Sequence, residues 1–334
     1  MKKTIYLLML VLALGFASCN NSPKQPTNTQ KAVLSNCELA LFENGKVSFY
    51  DVQNQAFIAL DQESDDVVNG VFTKDGKFYY SVVKDDKVML KYIDMKEDGI
   101  KPVAVGDWGV EPSHCFSETY GDFAPLEYYP WKDCLGLGHE FSWEGYGFYE
   151  TRLFDLKTGE ARDLDWENEN LWEGDDDGDG DDMYEGDFET KDDQVYYYYK
   201  DGEWICLSDK MNVKQYASDP DYVIDLYYTC FDMNPKGDMV RFAAPIEAGD
   251  FEHGPWCVAS LDGKFQKVLG ETDFCTDGAH WLSDGSLVFN GSEPRPETDP
   301  DYDAEWNNTK PCIKIMNPQG EISVLSHASM FIAK

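Results

Sequence analysis

The chain has 334 residues, 42% hydrophobic and 14% aromatic, enough apolar material for one large domain or two small ones, which excludes a chain disordered throughout. Against 28 Lys and Arg stand 63 Asp and Glu, a formal net charge of −35 that repels a polyphosphate backbone, so no nucleic-acid partner is expected. Twenty Tyr, nineteen Phe and nine Trp, with 27 Gly and 15 Pro, fit short strands joined by tight turns better than helices.

Lys2 and Lys3 precede an apolar run, Ile5 to Phe16, and the small pair Ala17-Ser18. This is the layout of a secretory signal peptide over residues 1–18, too short to span a bilayer comfortably. Cys19 follows directly, and Phe16-Ala17-Ser18-Cys19 resembles the lipobox of bacterial lipoproteins, with Phe16 where that family usually has Leu. The resemblance implies cleavage before Cys19 and acylation of its sulfur by a fatty acid such as palmitate, hence a membrane anchor in a Gram-negative outer membrane. An ordinary signal peptide with a coincidental Cys is the alternative. Residues 19–35 are polar, contain two Pro and no aromatic, and read as a flexible tether. The tether lacks the acidic residues that mark surface export in some such lipoproteins, so the periplasmic side is expected.

The eight other cysteines are Cys37, Cys115, Cys134, Cys206, Cys230, Cys257, Cys275 and Cys312, an even number that permits disulfides in an oxidising compartment. No CxxC spacing occurs, which argues against a zinc ribbon or a thioredoxin-type site. Cys206 and Cys257 stand in apolar strand-like segments and fit buried thiols equally well.

From residue 36 onward a strand, turn, strand unit recurs. Its clearest copies are Phe72 to Val83, Met233 to Pro245 and Trp281 to Ser292, each with a Gly turn before an apolar strand. In weaker copies, Tyr129 to Gly138 and Glu189 to Tyr199, Cys134 or Asp193 replaces the turn Gly. A second element follows each: Lys91 to Val103, Arg152 to Leu164, Cys206 to Tyr216, Ala259 to Leu269 and Ile313 to Leu325 read as outer hairpins, with Ser48 to Leu60 a sixth copy. The turn cores Ser283-Asp284-Gly285, Asn234-Pro235-Lys236-Gly237 and Thr73-Lys74-Asp75-Gly76 resemble TolB-like β-propeller repeats. Units at about 65–107, 108–166, 167–219, 220–271 and 272–328 make five blades. Residues 36–64 supply three strands of a sixth, and Ser329 to Lys334 supplies its missing strand. The expectation is an all-β domain over residues 36–334, a six-bladed β-propeller of four-stranded antiparallel blades, its ring closed by the C-terminal strand.

One segment carries a metal-like pattern. In Leu171 to Asp187 the carboxylates Asp175, Asp177 and Asp179 alternate, Gly180 takes the sixth place, and Asp181 and Glu185 follow. Alternating carboxylates round a sharp turn suit calcium, a hard cation that wants six to eight oxygens. Gly186 stands where a calcium loop places its closing carboxylate, and a solvated acidic loop is the competing reading. The five histidines, His114, His139, His253, His280 and His327, form no metal pair by spacing, and Trp143 replaces the second His of an HExxH pattern beginning at His139. There is no GxSxG elbow, P-loop or GxGxxG. Tyr128-Tyr129-Pro130-Trp131 and Tyr196 to Tyr199 read as packing aromatics or as platforms for sugar rings. Long polar connections at Gly109–Ala124 and Glu293–Thr309 mark a decorated face. Two functions follow: a lipid-anchored envelope module that binds a protein or glycan partner, or a glycan-active enzyme with paired carboxylates at the propeller centre.

Overall fold

The computed structural model describes residues 33–115, 124–143, 146–165, 169, 171, 188–198, 203–216, 225–226, 228–244, 246–248, 251–272, 278–303 and 308–334. Among them are twenty-five strands, three 3-10 turns and no helix long and apolar enough to cross a membrane. The first sheet begins with β1 (Cys37–Glu43), β2 (Lys46–Asp51) and β3 (Ala56–Ala59). The second holds β4 (Asp66–Phe72), β5 (Lys77–Lys84), β6 (Lys87–Asp94) and β7 (Val103–Asp107). The third holds β8 (Leu126–Tyr129), β9 (Cys134–Trp143), β10 (Tyr146–Asp155) and β11 (Ala161–Asp163).

In the fourth sheet the described residues form three strands, β12 (Phe188–Lys191), β13 (Gln194–Tyr198) and β14 (Trp204–Cys206). The outer hairpin expected over Cys206 to Tyr216 is absent among the described residues: Val213–Tyr216 forms a 3-10 turn, because Val213, Met211 and Tyr216 pack into the core between the fourth and fifth sheets. The fifth sheet holds β15 (Asp225–Leu226), β16 (Thr229–Met233), β17 (Met239–Ala243), β18 (Ile246–Ala248), β19 (Phe251–Ser260) and β20 (Gln266–Thr272). Its six strands follow a four-strand path with two interruptions. Asp225↔Glu247, Leu226↔Ile246 and Thr229↔Ala243 continue one register, and Pro245, which has no N–H for a ladder, stands in sequence between β17 and β18. The sixth sheet holds β21 (Ala279–Trp281), β22 (Leu287–Pro294), β23 (Thr309–Met316) and β24 (Ile322–Ser326). Finally β25 (Met330–Ala333) pairs antiparallel with β1, Leu39 facing Ala333 and Phe42 facing Met330, and gives the first sheet its fourth strand.

Among the described residues, hydrophobic layers lie between five of the six neighbouring pairs of sheets. β5 shows why these strands are apolar almost throughout: Phe78, Tyr80 and Val82 pack with the first sheet, while Tyr79 belongs to the layer shared with the third. A strand covered on both faces loses the polar alternation of a half-exposed one. In the layer between the first two sheets, Phe49 meets Phe78 edge to face with centroids 5.1 Å apart, and full burial of each such side chain contributes roughly 1.5–3 kcal/mol. Further layers join the second and third sheets, the fourth and fifth, the fifth and sixth, and the sixth and first. Trp281 Nε1 donates to Asp232 O (3.1 Å), Tyr228 Oη to Asp193 O (2.9 Å) and Ser283 N to Glu38 Oε2 (2.8 Å), so polar bonds also link neighbouring sheets. The first strands crowd together, β4 lying against both β25 and β8. Six antiparallel sheets in chain order, packed face to face with converging first strands, make a β-propeller.

The recurring turn has a common geometry. Gly76 N, Gly237 N and Gly285 N each bond the carbonyl three residues back, at 3.0, 2.9 and 2.9 Å. Each of these glycines, one or two residues before the second strand, lies in the left-handed region, at φ 87°, 71° and 88°. In the weaker copy at Tyr129 to Gly138, that position is Asp133 (φ 53°), and Cys134 begins β9. The expectation that Cys134 takes the turn is corrected by one residue: Asp tolerates positive φ, and Cys134 goes to the core.

Candidate functional site

Each sheet is a meander, so the connections after its first and third strands leave on one face and the others on the opposite face. The first group includes the tight turns 73–76, 234–238 and 317–321 and the longer connection 95–102; the second includes the connections that leave after Asp107, Asp163 and Pro294. A pocket of about 280 Å³ opens on the tight-turn face of the second sheet, lined by Tyr92, Asp94, Glu97, Gly99, Lys101 and Val103.

The walls of this pocket are ordered from within. Lys77 Nζ lies 2.6 Å from Asp75 Oδ2, and stands 5.2 Å from the ring centroid of Tyr92 and 5.9 Å from that of Tyr79. The two rings are 5.4 Å apart. The hydrogen bond to Asp75 raises the Lys77 pKa, so the ammonium stays charged over the tyrosine rings. On the rim, Asp94 Oδ1 accepts from Lys96 N (2.9 Å) and Glu97 Oε2 pairs with Lys101 Nζ (3.0 Å). At Gly99, with φ 87°, a Cβ would meet no atom within 4 Å, so the turn leaves the mouth open. The site thus offers an aromatic wall fixed by a cation behind it, two carboxylates, one ammonium and an exposed valine. These are donors and acceptors for a small polar guest.

A second polar group lies deeper. Lys91 Nζ bonds both oxygens of Glu63 at 2.9 Å and approaches Asp65 Oδ2 at 3.3 Å, while Tyr80 Oη donates to Glu63 Oε2 (2.9 Å). The Glu63 side chain is 4% exposed. This cluster pins the connection between the first two sheets.

The described carboxylates whose pKa values shift are held below the ordinary range. Hydrogen bonds from Arg162 draw Glu169 down to about 2. At Asp107 the hydrogen bond from Lys87 leads; at Asp75 bonds from Lys77 and Thr73 outweigh burial; the same direction holds at Asp51, Asp65, Asp155, Asp262 and Asp299.

Asp175, Asp177, Asp179, Asp181, Glu185 and Cys19 lie outside the described residues. Among the described residues, no group of three His, Cys, Asp or Glu is placed to hold a metal. The two aromatic runs divide between packing and surface. Tyr128, Tyr129, Tyr196 and Tyr197 are half-buried, whereas Trp131 is 42% exposed and Tyr198 and Trp204, their rings 5.2 Å apart, are 38% and 49% exposed. The described cysteines are free thiols; burial pushes Cys37 and Cys115 up to about 12 and raises Cys257, as suits inert core residues. In the connection after β22, Arg295 Nε donates to Thr309 O (3.2 Å) and Nη1 to Asp299 Oδ1 (3.2 Å), bracing its base. Sequence reasoning read Lys91 to Val103 as an outer hairpin and missed the pocket. The signal available was its Asp-Met-Lys-Glu-Asp-Gly turn beside a Tyr, which has meaning only once Lys77 is known to stand behind the ring.

No protein-family model and no curated protein matches this sequence. Among solved structures, the chain is similar to TolB from Acinetobacter baumannii, at 12% identity over 88% of this chain and 65% of that one, with a TM-score of 0.39. It is similar to an oligogalacturonate lyase from Vibrio parahaemolyticus at 13% identity, over 90% and 77% of the two chains, with a TM-score of 0.34. To the AtxE2 isopeptidase it shows 10% identity over 89% and 50% of the two chains, with a TM-score of 0.38. The chain spans 65% of the length of that TolB.

Proposed function

We propose that this chain is a non-enzymatic binding or scaffolding propeller, lipid-anchored through Cys19 in the cell envelope on the periplasmic side of an outer membrane, with a protein or glycan partner. The observation that supports the binding half is the open pocket on the second sheet, where Asp94, Glu97 and Lys101 stand beside Tyr92. The six sheets form a closed ring in this reading, the strand of residues 330–333 joining the two ends of the blade series. Incubation of the purified protein with a panel of neutral and acidic polysaccharides, followed by product analysis and equilibrium binding, separates the readings. Binding without new reducing or unsaturated ends is expected, and accumulation of cleaved glycan would replace this reading with the enzymatic one.

The anchor has its own test. Cys19→Ser is expected to abolish fatty-acid incorporation and move the protein from the membrane to the soluble fraction; unchanged labelling overturns the anchor.

Calcium at Asp175, Asp177, Asp179, Asp181 and Glu185 is proposed from the sequence pattern alone. With a Kd near the roughly 1 mM of extracellular modules, 10 mM calcium stabilises the native state by about 1.4 kcal/mol. The melting temperature is expected to rise with calcium, much less with magnesium, and not at all in Asp177→Ala with Asp179→Ala. A wild-type protein indifferent to 10 mM calcium shows the loop to be solvated acid.

A further inference from the structure

We infer that the pocket on the second sheet takes one ring of a neutral saccharide, an assignment that rests on the binding-module reading above and names its ligand class and place. Size sets the first limit: about 280 Å³ falls just under the roughly 300–1,000 Å³ of sites for drug-sized ligands, which suits a single ring of a longer chain.

Charge sets the second. The molecule as a whole is strongly acidic, yet around this pocket Lys74, Lys77, Lys96 and Lys101 stand among Asp75, Asp94, Glu97 and Asp98. No single sign dominates, so neither a polyanion nor a cation gains from the local field. A cationic guest on the open side of Tyr92 would also face Lys77, already 5.2 Å from the ring centroid, and a uronate would meet Asp94 and Glu97.

Chemistry sets the third. A pyranose presents a C–H face and a rim of hydroxyls. The Tyr92 ring, held by Lys77 and by Tyr79, supplies a preformed surface for the C–H face, and Val103, 40% exposed, extends it. Asp94 and Glu97 accept from hydroxyls, and Lys101, which reaches Glu97 at 3.0 Å, donates. Because the aromatic wall is anchored before the ligand arrives, little ordering cost remains to be met on binding.

The test uses the full chain with end-labelled neutral hexasaccharides of glucose, mannose and galactose, and with hexagalacturonate and a Lys-Arg hexapeptide as charged comparators. At least one neutral hexasaccharide is expected to bind, with affinity changing less than twofold between 50 and 500 mM NaCl. Tyr92→Ala and Asp94→Ala should each weaken it at least tenfold, while Tyr92→Phe retains it. Since Tyr92 packs on Tyr79, Asp94→Ala decides the matter if Tyr92→Ala fails to fold. Preference for the peptide or for hexagalacturonate overturns the assignment. Neutral glycan binding lost in Trp204→Ala but kept in Asp94→Ala overturns this pocket and leaves the glycan-binding function standing. Absence of all neutral-glycan binding overturns the ligand class and leaves the protein-binding form of the function, whereas cleavage of the glycan overturns the function itself.

Discussion

Deletion of Ser329 to Lys334 is expected to lower the melting temperature of the domain by roughly 10 °C. The lost strand serves two hydrophobic layers at once: Met330 and Ile332 pack with the core between the first and second sheets, Phe331 and Ala333 with the core between the sixth and first. Phe331 is 9% exposed, and removing it uncovers Leu39 and Leu41. At roughly 1.5–3 kcal/mol for each large apolar side chain taken from water, the loss reaches several kcal/mol before the unpaired edge of β1 is counted. The bonds from Ser329 N to Phe42 O and from Lys334 N to Glu38 O, both 2.9 Å, go with it. Against a total stability of about 5–15 kcal/mol, this is a large fraction. Deleting Lys334 alone, an exposed residue, is the control and should cost little. Thermal unfolding of the truncated chain with an unaltered midpoint would refute both the register of the last strand and ring closure through it.

Lys91→Met is expected to destabilise the protein by about 3 kcal/mol, at the lower end of what breaking a buried ion pair costs. The substitution keeps the packing volume of the lysine stem but leaves the Glu63 carboxylate, 4% exposed, with the Tyr80 hydroxyl and the Asp65 N–H and no cation. Attraction in the intact pair mostly offsets the desolvation of its members, so the penalty arises from orphaning one of them. Adding Glu63→Gln to Lys91→Met should therefore restore most of the stability, because a neutral amide can still accept from Tyr80. Chemical denaturation of the two single variants and the double variant closes the cycle. A loss under about 1 kcal/mol for Lys91→Met would show the pair to behave like a solvated surface bridge, and a double variant as unstable as the single one would move the cause from charge to packing.

The two largest predictions differ in how far the sequence exposes them. The short apolar run at Ser329 to Lys334 stands out as an unpaired strand because the segment from 36 to 64 provides three strands where the other units suggest four. The Glu63–Lys91 pair leaves no such trace, since its members are 28 residues apart in a chain with acids and lysines throughout. The same contrast runs through the turns. Gly76, Gly237 and Gly285 announce their positions because a left-handed residue favours Gly. Asp133 does not, and the sequence pattern alone puts the turn one residue late, on Cys134.

Local patterning determined the all-β class, the number of sheets, the turns between their strands and the segment that pairs with β1, since each depends on residues near one another or on a plain period of apolar side chains. Tertiary structure decided the rest. The fourth sheet has three described strands because Val213 and its neighbours are drawn into a core shared with the fifth, and the fifth keeps one register across its interruptions because β19 holds both segments of its partner. Which tyrosines pack and which face solvent, and which charges meet a partner, follows from how neighbouring sheets stack. The pocket depends on that stacking most of all: Tyr92 becomes a fixed wall only when β5 brings Lys77 and Tyr79 behind it, a contact made across strands and set by register.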